Sequence, residues 1–276
     1  MLDLHIHSSC SDGSDSPNEI LQKSERMGLI AVSITDHDNC DAYNGLDVGL
    51  FSGKIITGIE MQAYFKGISI ELLGYGFDLE KMREALKGLY LPFDDVNKAE
   101  LERLYEKCLE NGMRFKPGTL ENYEKDKYFY ATEYLHNEMR KFAENKPLVA
   151  DEESWAREDI FFKRHTSNSA SPFYIDEADL IPSAENVVDI IHKCGGRCFV
   201  PHIYQYEEKS DMVLHELVNG YAIDGIECYY PTFTQDQTGR LLGFCKQKGL
   251  LVSGGSDYHG NKRKTRLGID GNIDWL

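Results

Sequence analysis

The sequence lacks the features that would identify a membrane, secreted or nucleic-acid-binding protein. No apolar run in its 276 residues approaches the length of a membrane span, and the N-terminus shows no signal-peptide pattern. Lys and Arg number 30 against 46 Asp and Glu, so the formal net charge is −16. Binding to long nucleic acid needs clustered positive charge, which this balance disfavours. We therefore expect a cytoplasmic protein with no membrane partner.

Cysteines are few, odd in number and scattered through apolar segments, so they do not form a disulfide framework. In a reducing compartment the seven cysteines are expected to be free, buried thiols. Cys194 and Cys198 have a spacing that is unusual for a zinc site, and we interpret both as structural. The length allows one large α/β domain with an insertion, or two domains.

Strands and helices alternate at both ends of the chain. Strands are predicted near residues 2–6, 29–35, 54–59, 68–74, 197–201, 225–229 and 250–253. Helices are predicted over 17–27, 183–193, 211–219 and 234–248, with glycine closing three of them. This alternation is typical of βαβ units and favours a parallel sheet.

The middle of the chain, residues 79–182, has a different character. Apolar residues recur at helical spacing near 99–109 and 134–143, and the stretch between them is charged and aromatic. We interpret this region as a mostly helical insertion.

The segment Asp3-Leu-His-Ile-His-Ser-Ser-Cys-Ser-Asp-Gly13 carries the first chemical signal. Side chains alternate faces along a strand, so Asp3, His5 and His7 point the same way. Two imidazoles on one face can hold a divalent cation. Imidazole together with carboxylate suits Zn, Mn or Fe better than Mg or Ca.

Acids and imidazoles also follow or end the other predicted strands. In parallel barrels, the carboxyl ends of the strands are where an active site is assembled. Nine potential ligands are too many for one ion, but they suit two or three ions that share a bridging carboxylate. The predicted metal ligands are His5, His7, Asp12, His37, Glu60, Glu71, His202, Asp257 and His259.

Taken in order, the motifs DLHIHSSCSDGS, ITDHDN, GIE, LLGYGFD, VPH, GIECYYPTFTQDQ and GGSDYHG resemble the PHP (polymerase and histidinol phosphatase) superfamily of metal-dependent phosphoesterases. Within it, the chain looks most like the bacterial nucleotide phosphoesterase branch. The resemblance implies an α/β fold, a distorted (βα)7 barrel formed by residues 1–78 and 183–276. The mostly helical insertion, residues 79–182, would then be a substrate cap.

The same resemblance implies three metal positions and two or three divalent ions, expected to be Mn, Fe or Zn. One position would use His5, His7, Glu60 and Asp257, the second Glu60, Glu71 and His202, and the third Asp12, His37 and His259. Asp3 and Asp36 would orient imidazoles. Glu71 departs from the family, which usually has histidine there, and a carboxylate lowers the charge of the site.

The resemblance implies hydrolysis of a small phosphorylated metabolite, expected to be a nucleotide phosphomonoester, by a hydroxide held between two metals. Glu60, Asp257 and Asp36 are the predicted catalytic residues. Asp36, His165 and a metal-bound water are the candidate proton donors, and the choice among them is open. Lys163, Arg164 and His165 are a candidate phosphate-binding cluster.

Three alternatives stay open at this point. One is a histidinol-phosphate phosphatase or another sugar or amino-alcohol phosphatase. Another is metal-dependent amide hydrolysis, because related barrels share the HxH opening. The third is a metal- or ligand-binding module without turnover.

Overall fold

The computed structural model describes residues 1–124, 127 and 130–276, and it has an α/β fold. The predicted α/β class is therefore confirmed. The strands are β1 (Asp3–Ile6), β2 (Ala31–Ile34), β3 (Lys54–Ile55), β4 (Gly58–Phe65), β5 (Ile68–Tyr75), β6 (Arg197–Val200), β7 (Gly225–Tyr229) and β8 (Leu251–Gly254).

The α-helices of the described chain are α1 (Pro17–Met27), α2 (Leu79–Leu86), α3 (Phe93–Glu110), α4 (Ala131–Met139), α5 (Glu152–Ala156), α6 (Glu158–Phe161), α7 (Ala184–Lys193), α8 (Ser210–Gly220) and α9 (Gln235–Lys248). Sequence signals account for the ends of α1: Ser16 and Glu19 form a capping box, and Gly28 closes the helix at φ 68°. In the described part of the chain, no helix has the length and apolar character that crossing a membrane would require.

The strands form two sheets, with the orders β1-β2-β3 and β4-β5-β6-β7-β8. Parallel pairing joins β1 to β2, β2 to β3, β6 to β7 and β7 to β8, whereas β5 and β6 are antiparallel. The sheets are not closed, so the predicted (βα)7 barrel is not confirmed.

The predicted parallel sheet is wrong at β5, which pairs with β6 in the antiparallel direction. A two-residue turn, Lys66-Gly67, joins β4 directly to β5, and both residues have positive φ (48° and 85°). This backbone is typical of a type I′ hairpin, which returns the chain at once and leaves no room for a crossover helix. The predicted single strand over 54–59 is likewise two strands, because β3 ends at Ile55 and β4 begins at Gly58.

The chain divides into two compact units. The first consists of residues 1–63, 71–89 and 184–276, and the second of residues 64–70 and 90–183. Most of the second unit falls within the predicted insertion, 79–182. Four residues of that insertion, 125, 126, 128 and 129, lie outside the described residues.

Each unit has its own apolar core. In the first, Leu4, Leu73, Tyr75 and Phe199 belong to a cluster of fully buried side chains. In the second, α3 and α4 contribute Leu104, Leu135 and other members of a separate cluster. Full burial of a large apolar side chain contributes about 1.5–3 kcal/mol to folding stability, so each unit is stabilised by its own apolar packing. The seven cysteines are free, and all but Cys10 are buried.

Candidate metal centre

The centre begins where β1 meets the loop that follows β8. The Asp257 N–H donates to the His5 carbonyl (2.9 Å), and the His7 N–H donates to the Tyr258 carbonyl (2.8 Å). Gly255 permits this approach, because a Cβ there would lie 2.2 Å from the Cβ of His5. The two ends of the chain therefore bring His5, His7 and Asp257 together.

Glu60, at the start of β4, lies among the imidazoles. Its Oε2 is 3.2 Å from His5 Nε2 and 3.1 Å from His7 Nε2. Its Oε1 is 3.0 Å from His202 Nε2. The Glu60 side chain is 1 % exposed. A buried carboxylate facing imidazoles with both oxygens has the geometry of a bridging ligand.

The remaining predicted ligands surround this carboxylate. Glu71 Oε2 lies 3.3 Å from His202 Nε2, and His37 Nδ1 lies 3.5 Å from Glu60 Oε2. The departure from the family at Glu71 thus places a carboxylate oxygen within the cluster.

Asp12 gathers a further set of imidazoles. Its oxygens are 3.1 Å from His259 Nε2, 3.3 Å from His7 Nδ1 and 3.8 Å from His37 Nε2. Among the described residues, the groups that could hold an ion are His7-Asp12-His37-His259, His5-His7-Asp257, His5-Glu60-His202 and His37-Glu60-Glu71. These groups contain every predicted ligand. They differ from the predicted sets in that His7 also faces Asp12 and His37 also faces Glu60.

Unpaired nitrogens show that the residues fit metal ions. Buried His5 Nε2, His7 Nδ1, His7 Nε2 and His259 Nε2 have no hydrogen-bond partner in the described structure, although carboxylate oxygens lie 3.1–3.3 Å away. Leaving buried polar atoms without partners is costly. Two donors that each lie about 2.1 Å from one ion are separated by about 3.0–3.4 Å. The mixed nitrogen and oxygen donors suit Mn, Fe or Zn.

Two hydrogen bonds set the ring orientations. Glu227 Oε1 lies 3.0 Å from His5 Nδ1, and the Asp257 carbonyl lies 2.9 Å from His259 Nδ1. Each acceptor holds a proton on Nδ1, so Nε2 faces the cluster and is the nitrogen that would bind an ion after losing its proton. Glu227 also accepts the His202 N–H (2.8 Å).

Sequence reasoning missed Glu227. Its signal was present, because Gly-Ile-Glu occurs both at 58–60 and at 225–227, each time at a strand. The two glutamates are both buried, but only Glu60 belongs to the candidate metal groups.

The charges of the cluster stabilise one another. Burial lowers the pKa of His5, but the carboxylates of Glu60 and Glu227 outweigh it and raise that pKa well above its usual value. Burial raises the pKa of Glu60, but the charge of His5 and the hydrogen bond from His202 hold it well below its usual value. The pKa of Asp257 is likewise lowered, against burial, by His7, His5 and Arg263. The carboxylates are therefore ionised.

Asp3 and Asp36 act differently from the prediction that they orient imidazoles. Asp36 accepts hydrogen bonds from the Ser8 N–H (2.7 Å), the Ser8 hydroxyl (2.6 Å) and the Ser11 hydroxyl (2.6 Å). Asp3 accepts from the Ser256 and Gly268 backbones (2.9 and 2.7 Å) and from the Ser256 hydroxyl (2.5 Å). Burial outweighs these bonds and raises the pKa of Asp3 to about 6. Both aspartates hold the loops that carry the ligands.

Two further residues reach the centre and were not predicted. The Tyr230 hydroxyl donates to Asp257 Oδ2 (2.8 Å), and Arg263 Nη1 donates to the same oxygen (2.6 Å). Asp257 also adopts a left-handed backbone conformation at φ 53°. The signal for Arg263 was the basic run Lys262-Arg-Lys-Thr-Arg266 shortly after the SDYH motif.

The predicted phosphate-binding cluster belongs to the second unit, whereas the metal ligands belong to the first. Arg164 pairs with Asp151 (3.1 Å) and Glu153 (3.0 Å), and Lys163 is exposed. His165 is buried beside Ser171 (3.1 Å), and burial lowers its pKa. A role for these residues in substrate binding stays a prediction.

Comparison with known families decides the identity of this fold and site. A family model described as the PHP domain matches residues 3–231. The chain belongs to the PHP domain family. The family predicted from the motifs is thus confirmed, and with it the class of metal-dependent phosphoesterases. The centre described above is the candidate active site of this PHP domain protein.

Curated relatives of the PHP domain protein are named as hydrolases of phosphate esters. A 5'-3' exoribonuclease of Haemophilus influenzae is 27 % identical over 93 % of this chain and 89 % of its own. A phosphoribosyl 1,2-cyclic phosphate 1,2-diphosphodiesterase of Eggerthella lenta is 26 % identical over 94 % of each chain. A 3',5'-nucleoside bisphosphate phosphatase of Chromobacterium violaceum is 21 % identical over 94 % and 87 %. The prediction of a phosphoric ester hydrolase is confirmed.

Solved structures support the PHP domain fold. A Bifidobacterium adolescentis protein described as a metal-dependent phosphoesterase has a TM-score of 0.62 at 20 % identity, covering 99 % of this chain and 92 % of its own. A Chromobacterium violaceum amidohydrolase, solved with sulfate and no metal, has a TM-score of 0.66 at 18 % identity with the same coverage. At these identities the likeness concerns the fold alone.

Proposed function

We propose that this protein hydrolyses phosphate esters of nucleotides, with two or three Mn, Fe or Zn ions held by the predicted ligands. One observation carries the proposal: the buried Glu60 carboxylate lies 3.0–3.2 Å from three imidazoles, and two of the facing nitrogens have no hydrogen-bond partner among the described residues. A site of this kind is stable when cations occupy it.

The ions would be held by the groups around Glu60, Asp257 and Asp12. When bound, they supply positive charge to the phosphate and lower the pKa of water. Glu60 positions the imidazoles of His5, His7 and His202. Arg263 keeps Asp257 ionised and adds a fixed positive charge beside the site.

Asp36 is a weak candidate for the predicted proton donor. Its carboxylate accepts three hydrogen bonds, from Ser8 and Ser11, so both of its oxygens act as acceptors. Its proposed role in catalysis is to hold the loop that carries His7 and Asp12. The insertion predicted at 79–182 is retained as the proposed source of substrate selection. Within it, the Arg164 guanidinium is already paired with Asp151 and Glu153, so a direct contact of Arg164 with the substrate is tested separately.

The names of the relatives support a nucleotide-derived substrate. One of them is named for a nucleoside bisphosphate and another for a cyclic phosphate of a ribosyl compound. The net charge of −16 supports a small substrate over a long polyanion. A second candidate is removal of nucleotides from the 5' end of RNA, favoured by the relatives named exoribonucleases.

A substrate panel tests the proposal. Protein loaded in turn with Mn, Fe and Zn is incubated with a nucleoside monophosphate, a nucleoside 3',5'-bisphosphate, a cyclic phosphodiester, 5'-phosphorylated RNA, histidinol phosphate and an amide. Each reaction is repeated with chelator. Metal-dependent release of phosphate or nucleotide supports the proposal. Turnover of histidinol phosphate alone would move the assignment to that phosphatase, amide cleavage would move it to amidohydrolysis, and no turnover with any metal would favour a binding module.

A further inference from the structure

A cleft of about 620 Å³ lies in the first unit beside the metal centre. The end of β7, helix α9 and residues 264–270 form its walls, and we call it the 264–270 cleft. Its volume is in the range of small-molecule sites. Its lining includes Tyr229, Tyr230, Lys264, Arg266 and Asp270.

The cleft is a local exception to the acidic character of the chain. Four of the five residues from 262 to 266 are Lys or Arg, in a protein of net charge −16. Lys264 and Arg266 are exposed, and within residues 1–124, 127 and 130–276 neither side chain has an ion pair or hydrogen bond. Asp270 is the one carboxylate of the lining, so two cations face one anion. These two cations are available to a ligand.

Residues 263–265, which lead into this cleft, contact Asp257 of the metal centre. Arg263 Nη1 lies 2.6 Å from Asp257 Oδ2, and the Thr265 hydroxyl donates to the Asp257 carbonyl (3.1 Å). Tyr230 lines the cleft while its hydroxyl donates to Asp257 Oδ2 (2.8 Å). A substrate bound at Asp257 therefore has the cleft as its neighbour.

We propose that Lys264 and Arg266 bind a second phosphate of the substrate, one that is not hydrolysed. The inference rests on the proposed function, which places the scissile phosphate at the metal centre. A guanidinium binds phosphate oxygens in pairs, and an ammonium adds a point charge. Tyr229 and Tyr230 supply aromatic faces for the attached base. The second phosphate comes either from a nucleoside bisphosphate or from the next linkage of a single strand.

The kinetic test uses the double variant Lys264→Gln/Arg266→Gln, metal-loaded like the wild type. For a nucleoside 3',5'-bisphosphate and a 5'-phosphorylated tetranucleotide, we expect KM to rise at least about tenfold, as loss of charge-assisted hydrogen bonds implies. For the nucleoside 5'-monophosphate, kcat/KM stays within about twofold. The matched control is Lys246→Gln/Lys248→Gln, which removes the same charge from the exposed end of α9.

The two sources give different results. A KM effect on the bisphosphate alone assigns the cleft to a terminal phosphate, and an effect on both assigns it to any phosphate beyond the scissile one. Equal losses on all three substrates, or no loss on the bisphosphate and the strand, overturn the proposal.

A binding measurement separates this inference from the proposed function. Binding of a fluorescent tetranucleotide is followed at several salt concentrations with chelator present, so that no turnover is needed. Because both cations contact the same phosphate, their loss should reduce the slope of log K against log salt by about 0.7. If the wild type hydrolyses no ester but the slope falls in the double variant, the proposed function fails and the anion cleft stands. If the slopes are equal, the cleft fails whatever the activity.

Discussion

Both units bury a group of carboxylates, and the pKa values of the two groups are shifted in opposite directions. In the first unit, Glu60 and Asp257 face imidazoles and Arg263, which hold their pKa values well below the usual range against burial. In the second unit, burial raises the pKa of Glu100 to about 7 and that of Glu177 to about 8. The difference shows that burial alone keeps an acid neutral, whereas facing cationic partners make it an ionised ligand.

The Glu177 carboxyl group is buried with little compensation from neighbouring groups. It is 3 % exposed, and its Oε1 has no hydrogen-bond partner among the described residues. The nearby Glu100 raises its pKa further, and the charge of Arg103 lowers it only in part. We interpret this pair as a protonated, structural group and the Glu60 group as a metal centre.

The largest expected effect comes from removing the bridging charge. Glu60→Gln should lower kcat/KM for a cleaved phosphate ester by at least about 1000-fold, because the metals contribute several kcal/mol to the transition state. Elemental analysis should show a matching loss of bound metal. Glu208→Gln, an exposed change in the same unit, is the control. Full activity of Glu60→Gln at equal metal content would contradict the interpretation.

Glu177→Gln should change how the stability of the protein depends on pH. Because the folded pKa of Glu177 is raised to about 8, the folded state holds a proton that the unfolded state has lost. Wild-type stability therefore falls as pH rises from about 4.5 to about 8, by up to about 1.4 kcal/mol per unit. Glutamine does not titrate, so the variant does not lose stability in this way. The free energy of unfolding of Glu177→Gln minus that of the wild type should be at least about 2 kcal/mol greater at pH 8 than at pH 5.

Urea unfolding at the two pH values measures this difference. Glu133→Gln, on α4 of the same unit, provides the control, because it makes the same chemical change at a glutamate that is only partly buried. If the stabilities of the wild type and Glu177→Gln changed with pH in the same way, the pKa of Glu177 would not be raised by folding. The contrast between the carboxylates of the two units would then be lost.

A smaller effect is expected at the residue that holds His5. Glu227→Gln keeps the shape of the side chain but removes the charge that fixes the Nδ1 proton of His5. Metal affinity should fall about 10- to 100-fold, as for other residues that orient metal ligands. Competition with a fluorescent chelator measures the Kd, and activity at saturating metal should recover in part. Unchanged affinity would show that His5 does not need this partner.

The smallest effect is expected at Arg164. Asp151 and Glu153 already occupy its guanidinium, and an ion pair that is only partly buried contributes about 0–1 kcal/mol. Arg164→Gln should therefore change kcat/KM by less than about threefold. Lys163→Gln is the matched comparison, because Lys163 is exposed. A tenfold rise in KM for Arg164→Gln would restore the substrate-binding role predicted from the sequence.

The metal ligands could be predicted because each one sits at or just after a strand. His5, His202 and Asp257 follow local patterns of two to six residues, and chain order was enough to group them. The hairpin at Lys66-Gly67 could not be anticipated from the βα alternation, although a two-residue turn containing glycine is a hairpin signal. The antiparallel β5 follows from that turn.

The supporting contacts were beyond prediction because they join distant parts of the chain. His5 meets Glu227, and Asp3 meets Ser256 and Gly268, across more than 200 positions. Nothing local marks such pairs. The burial of Glu177 could not be predicted either. A glutamate in an acidic stretch suggests an exposed side chain, and only the packing of the folded chain shows that it is buried.

The contact of Asp257 with His5 has a consequence for biosynthesis. The ligands run from His5 to His259, so a ribosome must release the chain beyond residue 259 before the ligand set is complete. Until then, His5 and His7 lack the loop after β8 that carries Asp257 and His259. Chains truncated before residue 257 are therefore expected to lack the complete centre.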